Sequence, residues 1–454
     1  MGELISLIIN VPLIAVLLVS GKKPTRFLYM VGFLLPLYAL VIRAGVAWSW
    51  HRLVLPIAVV ALWNAPKLRG APGRRAAALF FAYACVLSAG WHVYLLTDGR
   101  LIRSAIRMGW GPGQSTYRIP VQLYSYISGI GLALIGGWFI RTREHAHSAF
   151  NGYISGSCFS IAFGIADLFA NLANISLLPH RDIASRTAMH IGGRELPRLV
   201  GLGGEPKHTA AFTVLALILT FALSAVPSNT PIVPKARFKL RFLLIGLALT
   251  GSTSGIVAGA AGIITTAFLI ASTRKISQSF SHLAGIGMVC GIVVLGLGPA
   301  LVSDVFEARI QNRLGGGQEE ALSHEYKEEA LMRYATANPS AMILGHGAGG
   351  IDFHLLKYSA LHFAKRGTLS PAYTLTRVTA DFGYVGLLLL MGLPLSWVIQ
   401  SRSTPLLVPA IIPVAGIVWI SVGLAMGAYF FIGGCLSKYS QLLAEEPEPE
   451  AEPA

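Results

Sequence analysis

Three stretches of the sequence carry residue types that can do chemistry. The first is RLVGLGGEPKHTAAF, residues 198–212. Arg198 stands where a polar segment re-enters an apolar run, with Gly201, Gly203 and Gly204 beside it and Glu205, Lys207 and His208 behind. A charge at that depth is costly unless paired. Arg198 is therefore either half of an ion pair with Glu205 or a cation for an anionic ligand. Its planar fork suits phosphate oxygens and stays charged when partly buried. The second stretch is LTGSTSGIVAGAAG, residues 249–262, a tight turn between two apolar runs. Ser252, Thr253 and Ser254 can donate hydrogen bonds to a phosphate, while the small residues serve equally for close helix packing. The third runs from Tyr326 to His354, with a helix ending near Asn338-Pro339 and a glycine-rich turn over 345–350. It offers Lys327 and Arg333 as cations and His346 and His354 as bases. Downstream, Arg377 and Asp381 share one helix face at i, i+4 spacing, as an ion pair or as part of a site.

Other chemistries are missing from the sequence. It has no glycine-rich phosphate loop, no HExxH, no CxxC and no DxD-type acidic cluster, so neither a metal nor a cofactor is expected. Glu319-Glu320 and Glu328-Glu329 read as solvated faces of an amphipathic helix. Cys85, Cys158, Cys290 and Cys435 fall in or beside apolar runs and read as small apolar fillers.

The elements that must position these residues are membrane helices. Of 454 residues, 54% are hydrophobic and only 13% charged, where a soluble domain carries about 25% charged residues. That excludes a soluble enzyme, a disordered chain and a disulfide scaffold. Apolar runs predict spans near 4–20, 27–48, 53–64, 76–96, 121–140, 149–177, 209–226, 238–250, 255–272, 282–303, 372–395 and 405–434, about 12 at the usual length of a crossing helix. The fold expected is an all-α polytopic bundle: N-terminal spans over 1–177, a polar segment 178–208, central spans over 209–303, a polar segment 304–371, C-terminal spans over 372–434, and an acidic tail over 435–454 that should be disordered at 443–454.

Alternation puts the two long polar segments on one side. The turns of that side hold 18 Lys+Arg and the opposite turns 16, so totals do not decide orientation. The opposite set holds its cations in short connections, where the positive-inside rule applies, and it is placed in the cytoplasm. The long segments then face outward with many cations, as if to hold an anion. The net charge of +15 fits an anionic membrane surface or substrate, and nucleic acid is not expected because no basic arm interleaves with aromatics. The first apolar run reads as a membrane helix, not a signal peptide.

Taken in order, these pieces resemble the bacterial O-antigen ligase and O-antigen polymerase superfamily. The matching residues are Arg198, Gly201 and Pro206; Thr250, Gly251, Ser252, Ser254 and Gly255; Pro339, Gly345 and Gly347; Tyr373; and Asp381, Gly383 and Gly386. The chain departs from the family pattern at Thr253, where an Arg is usual, and at Ser370-Pro371, where the family has His-Asn. The family Arg of the second loop lies nearer His324 or Lys327 than Arg333. The resemblance implies a GT-C-like fold with outward helical loops capping a cavity. It implies a metal-independent, inverting glycosyltransferase of the bacterial inner membrane with its site facing the periplasm. The donor would be a polyprenyl-diphosphate-linked glycan and the acceptor a glycan or glycolipid, with membrane lipid around both. Arginines, Arg198 foremost, would hold the diphosphate, and His346, His354 or His362 would replace the missing base. The polymerase is preferred over the ligase because the ligase-type His is absent. The alternatives from other classes are a transporter or flippase of an anionic lipid or glycan, which should show broken helices or internal symmetry that the sequence does not display, and a non-catalytic scaffold.

Overall fold

In the computed structural model of the chain, the described residues are 2–62 apart from 22, 38, 39, 41 and 45; 70–172; 177; 188–191; 194–226 apart from 205; 231–272; 329–358; 374–400; and 426–445. The span expected at 282–303, most of that at 405–434, and Glu205, His324, Lys327, His362 and Ser370-Pro371 lie outside them.

The described chain is helical, with two small hairpins. In order the elements are α1 (Gly2–Ser20), α2 (Pro24–Leu34), β1 (Ile42–Ala44), β2 (Val46–Trp48), α3 (Trp50–Leu62), α4 (Arg74–Asp98), α5 (Arg100–Arg107), α6 (Pro112–Phe139) and α7 (Arg143–Leu172). Then follow β3 (Ala188–Ile191), β4 (Arg194–Pro197), a 3-10 turn (Gly201–Gly203), α8 (Pro206–Ser224), α9 (Ala236–Leu249) and α10 (Thr253–Ser272). The helix over 329–337 is α11. The last are α12 (Ala341–Leu344), α13 (Ile351–Leu355), α14 (Thr374–Gln400) and α15 (Met426–Glu445). Five helices are long and apolar enough to cross a membrane among the described residues: those over Arg74–Asp98, Ser115–Phe139, Arg143–Ala170, Pro206–Ser224 and Thr376–Gln400. The chain is a helical membrane protein.

Two expectations are corrected. The apolar run 27–48 is not one span. α2 ends at Leu34, Pro36 follows immediately, and β1 pairs antiparallel with β2. Proline has no N–H to donate and its ring disfavours the helical conformation in the residue before it, so a helix often ends there. The C-terminal segment 435–454 is not a tail throughout, because α15 continues to Glu445 and buries Cys435, Leu436 and Tyr439. The apolar positions recur at helical spacing past 434, which holds the helix on the bundle.

Burial separates centre from rim. Of the apolar window of α8, 89% is buried, against 22% for α4. α8 is thus wrapped by α7, α9 and α10, while α4 turns Leu79, Val86 and Val93 outward, as a lipid-facing helix does.

The helix ends sort into two groups. At one end Ser148 Oγ donates to the Thr25 carbonyl at 2.7 Å, Asn151 Nδ2 donates to the Ile232 carbonyl at 2.8 Å, and His147 Nε2 meets Tyr439 Oη at 3.1 Å. These bonds gather the basic turns around 21–26, 141–148 and 231–241. At the other end lie the β3–β4 hairpin, the turn at 250–252, and α11 to α13.

Candidate functional site

Two clusters form at this second end, each on its own helices. The first joins Arg198 to the small-residue turn. Arg198 Nε donates to the Thr250 carbonyl at 2.9 Å and Nη2 to the Gly251 carbonyl at 3.4 Å, while Leu199 N donates to the Leu249 carbonyl at 3.0 Å. A helix leaves its last carbonyls without intrahelical donors. The guanidinium supplies donors at the end of α9, where a cation also suits the helix dipole. Ser252 is buried, and its Oγ accepts the Gly255 N–H at 3.3 Å, which caps the start of α10. Ser254 lies in the first turn of α10. His208 is buried and Lys207 half-buried in the first turn of α8. Sequence reasoning had Arg198 as the main phosphate ligand. In the fold its guanidinium donates to two backbone carbonyls.

The second cluster is built on α4, α6 and α14 with α11 to α13 laid against them. Its pivot is Gly383, inside α14, at φ 67° and ψ −175°. Only glycine takes this conformation readily. The break frees carbonyls that a regular helix would use internally: the Asp381 carbonyl accepts the His346 N–H at 2.9 Å, and the Phe382 carbonyl accepts the Tyr83 hydroxyl at 3.1 Å. Gly345, at φ 81°, packs on this kink so closely that a Cβ would fall 2.5 Å from the Asp381 carbonyl oxygen. The kink corrects the expectation of unbroken helices.

The side chains of Asp381 and Asp352 fasten the glycine turn. Asp381 accepts from Gly349 N at 2.8 Å and from the Tyr126 hydroxyl at 2.9 Å, and Arg377 Nε lies 3.7 Å from it. Arg118 Nε donates to Asp352 Oδ2 at 2.6 Å, with the two side chains 10% and 1% exposed. Arg118 also lies over the Trp110 ring, 4.8 Å from its centroid, a favourable cation–π placement. Ser88 Oγ accepts from Ala348 N at 3.0 Å. Arg377 Nη2 keeps no hydrogen-bond partner among the described residues.

Above this base sits a ring cluster. Tyr334 Oη lies 2.5 Å from His346 Nε2, the His346 and His354 rings stand 4.5 Å apart, and Trp91 lies 4.9 Å from His346 and 5.2 Å from His354. Burial first, and His354 second, hold His346 down at about 3. Burial and then Lys357 hold His354 at about 4. Burial and then Tyr358 push Tyr334 up to about 12. Both imidazoles are therefore neutral at pH 7, Tyr334 keeps its proton, and the Tyr334 hydroxyl and His346 Nε2 share a hydrogen bond. His354 is half-buried as a residue, and its Nε2, itself buried, has no hydrogen-bond partner among the described residues. It can accept a proton.

The fold thus brings His346, His354, Arg377 and Asp381 together. It does not bring Arg333 to them. Arg333 is paired with Glu329 at 2.5 Å on the exposed face of α11, with side chains 64% and 45% exposed, a surface pair of small consequence. Sequence reasoning missed Tyr334, Trp91, Arg118, Asp352 and Tyr126. Arg118 and Asp352 were visible as charges beside apolar runs; nothing in the sequence pairs them across 234 positions. Among the described residues no group of three metal-ligating side chains occurs. No family model and no curated protein matches the chain.

Proposed function

We propose that the chain is a bacterial inner-membrane glycosyltransferase that moves a glycan from a polyprenyl-diphosphate carrier to an acceptor sugar hydroxyl, polymerising repeat units of a surface polysaccharide. The observation that carries this reading is the union of the glycine turn bearing His346, and of His354, with the kinked helix bearing Arg377 and Asp381. These are the two late segments on which the resemblance to the O-antigen ligase and polymerase superfamily rests.

In this reading the acceptor oxygen attacks the anomeric carbon as its bond to the diphosphate oxygen breaks. His354 Nε2 takes the hydroxyl proton, and polyprenyl diphosphate leaves with the bonding electrons. Tyr334 and His346 hold the His354 ring in place by ring packing. Arg377 Nη2 donates to the leaving diphosphate as its charge grows, which is where a fixed donor lowers the barrier most. Asp381 orients Arg377 and the turn. Arg198 shapes the neighbouring turn, a positioning role. The site faces the periplasm, and cysteines introduced at 190 and 325 should react with an impermeant reagent in intact spheroplasts.

A second reading, a transporter of an anionic lipid or glycan, is favoured by the broken helix at Gly383 and the buried Asp167, since discontinuous helices mark many transport sites. Deleting the gene and resolving lipid-linked and surface glycans on a gel separates the readings. Collapse of the ladder to a single repeat is expected. Long lipid-linked chains that never reach the surface would point to the ligase, and undecorated repeats trapped on the cytoplasmic side to the transporter. An unchanged glycan profile would remove all three.

A further inference from the structure

At the opposite end of the helices from His346, α1 and α2 enclose a cavity of about 690 Å³ bordered by Ser148 of α7. Its wall is apolar, formed by Val16, Val19, Tyr29 and Met30. Val16 and Val19 are 49% and 74% exposed, so the wall opens on the surface that faces lipid. Its mouth carries Lys23 and Arg26, both exposed. Among the described residues neither side chain has a hydrogen-bond or ion-pair partner. Arg141 and Arg143 lie at the same end, with Glu144 the acid of that turn. Ser148 is already committed to the Thr25 carbonyl; beside the hydroxyls of Thr25 and Tyr29, the charged recognition in the lining is cationic.

We infer that this cleft binds a phospholipid with an anionic headgroup. An apolar wall continuous with the membrane suits an acyl chain, and two cations at the level of the helix ends, unpaired among the described residues, suit a headgroup carrying net negative charge. A zwitterionic headgroup brings its own cation and loses this advantage. A soluble phosphate ester would leave the apolar wall against water, so the lipid is the occupant that uses both halves. Because the lining of the cleft shares no residue with the cluster around His346 and Arg377, the inference is independent of the transferase reading.

The test is native mass spectrometry of the purified full-length protein in detergent, with phosphatidylglycerol and phosphatidylcholine offered together. The wild type should retain phosphatidylglycerol preferentially. Each cation near a headgroup is worth about fivefold in binding, so Lys23→Ala with Arg26→Ala should weaken phosphatidylglycerol by roughly 25-fold and leave phosphatidylcholine unchanged. Val16→Trp, at an exposed position of the wall, should exclude both lipids from the cleft while the protein stays monodisperse. Equal retention of the two lipids by the wild type, or unaltered phosphatidylglycerol binding in the double variant, overturns the inference. So does displacement of the lipid by glycerol 1-phosphate at matched concentration, which would make the occupant a soluble anion.

Discussion

The two outer clusters start from the same sequence signal, a basic residue beside glycines where a polar segment meets an apolar run, and end in different roles. Around Arg198 the guanidinium turns inward and is used on the carbonyls of Thr250 and Gly251. Around the 345–350 turn the backbone donors are satisfied by Asp381 and Ser88, and the rings of His346 and His354 remain for other work. The difference is in who caps the backbone. Where a side chain of the cluster must satisfy orphan carbonyls, it is tied down. Where neighbouring helices do so, an imidazole nitrogen and a guanidinium nitrogen are left over. Leftover donors and acceptors, rather than charge by itself, mark the place where a ligand can be held.

Three measurements sharpen or break this contrast. The largest effect should come from the buried pair that docks the glycine turn. Replacing one partner of such a pair strands a charge and costs about 3–5 kcal/mol. Arg118→Ala or Asp352→Asn should therefore expose 329–358 to limited proteolysis and lower the unfolding midpoint. The apolar exchange Arg118→Met with Asp352→Leu should recover most of the loss. Arg198→Ala, which removes charge-assisted bonds to backbone carbonyls without stranding a buried charge, should cost about 1.5–3 kcal/mol. Equal or larger damage from Arg198→Ala would reverse the ranking of the two clusters.

Next is the chemistry. Loss of a general base costs about 10²–10⁴-fold in rate. His354→Ala should cut glycan-ladder formation by at least about 100-fold in a well-folded protein, and Arg377→Ala by a similar factor. Arg198→Lys should keep activity within about tenfold, because an ammonium still reaches one carbonyl. A folded, monodisperse Arg198→Lys protein that makes no ladder would return the diphosphate to the first cluster.

The last effect is a pH dependence confined to the second cluster, absent at neutral pH and growing only on acidification. His346 and His354 sit at about 3 and about 4 in the fold, below the value of roughly 6.5 in an open chain. Between those limits the opened state binds more protons than the closed one, so stability rises with pH and falls on acidification from 6.5 towards 4. Amide exchange at 345–350, corrected for its intrinsic rate, should accelerate about tenfold per pH unit lost for each of the two imidazoles, roughly 100-fold together well below 6.5. Exchange at 199–203 should not change. Parallel acceleration in both clusters would mean that the imidazoles are not what distinguishes them.

Much of the architecture was legible beforehand because it depends on composition and period. A run such as 206–224 has too few polar groups to face water, so a buried or lipid-facing helix is the only way to satisfy its backbone. The placement of Arg377 and Asp381 on one helix face follows from i, i+4 spacing alone. Other features were hidden. The run 27–48 is as apolar as a span, and only Pro36 hinted at its division into α2 and a hairpin. Hydropathy does not report the break at Gly383, because glycine is neutral to it.

The sequence by itself determined that this is a multi-helix membrane protein with a basic end, and which histidines and arginines were available to it. Only the tertiary structure decided which of them cooperate. Tyr334 reaches His346 across 12 positions, Arg118 reaches Asp352 across 234, and Tyr126 reaches Asp381 across 255. Periodicity fixes neighbours three or four residues apart on one helix. Partners on different helices are fixed by how those helices pack, and here by a kink that turns two backbone carbonyls outward to receive them.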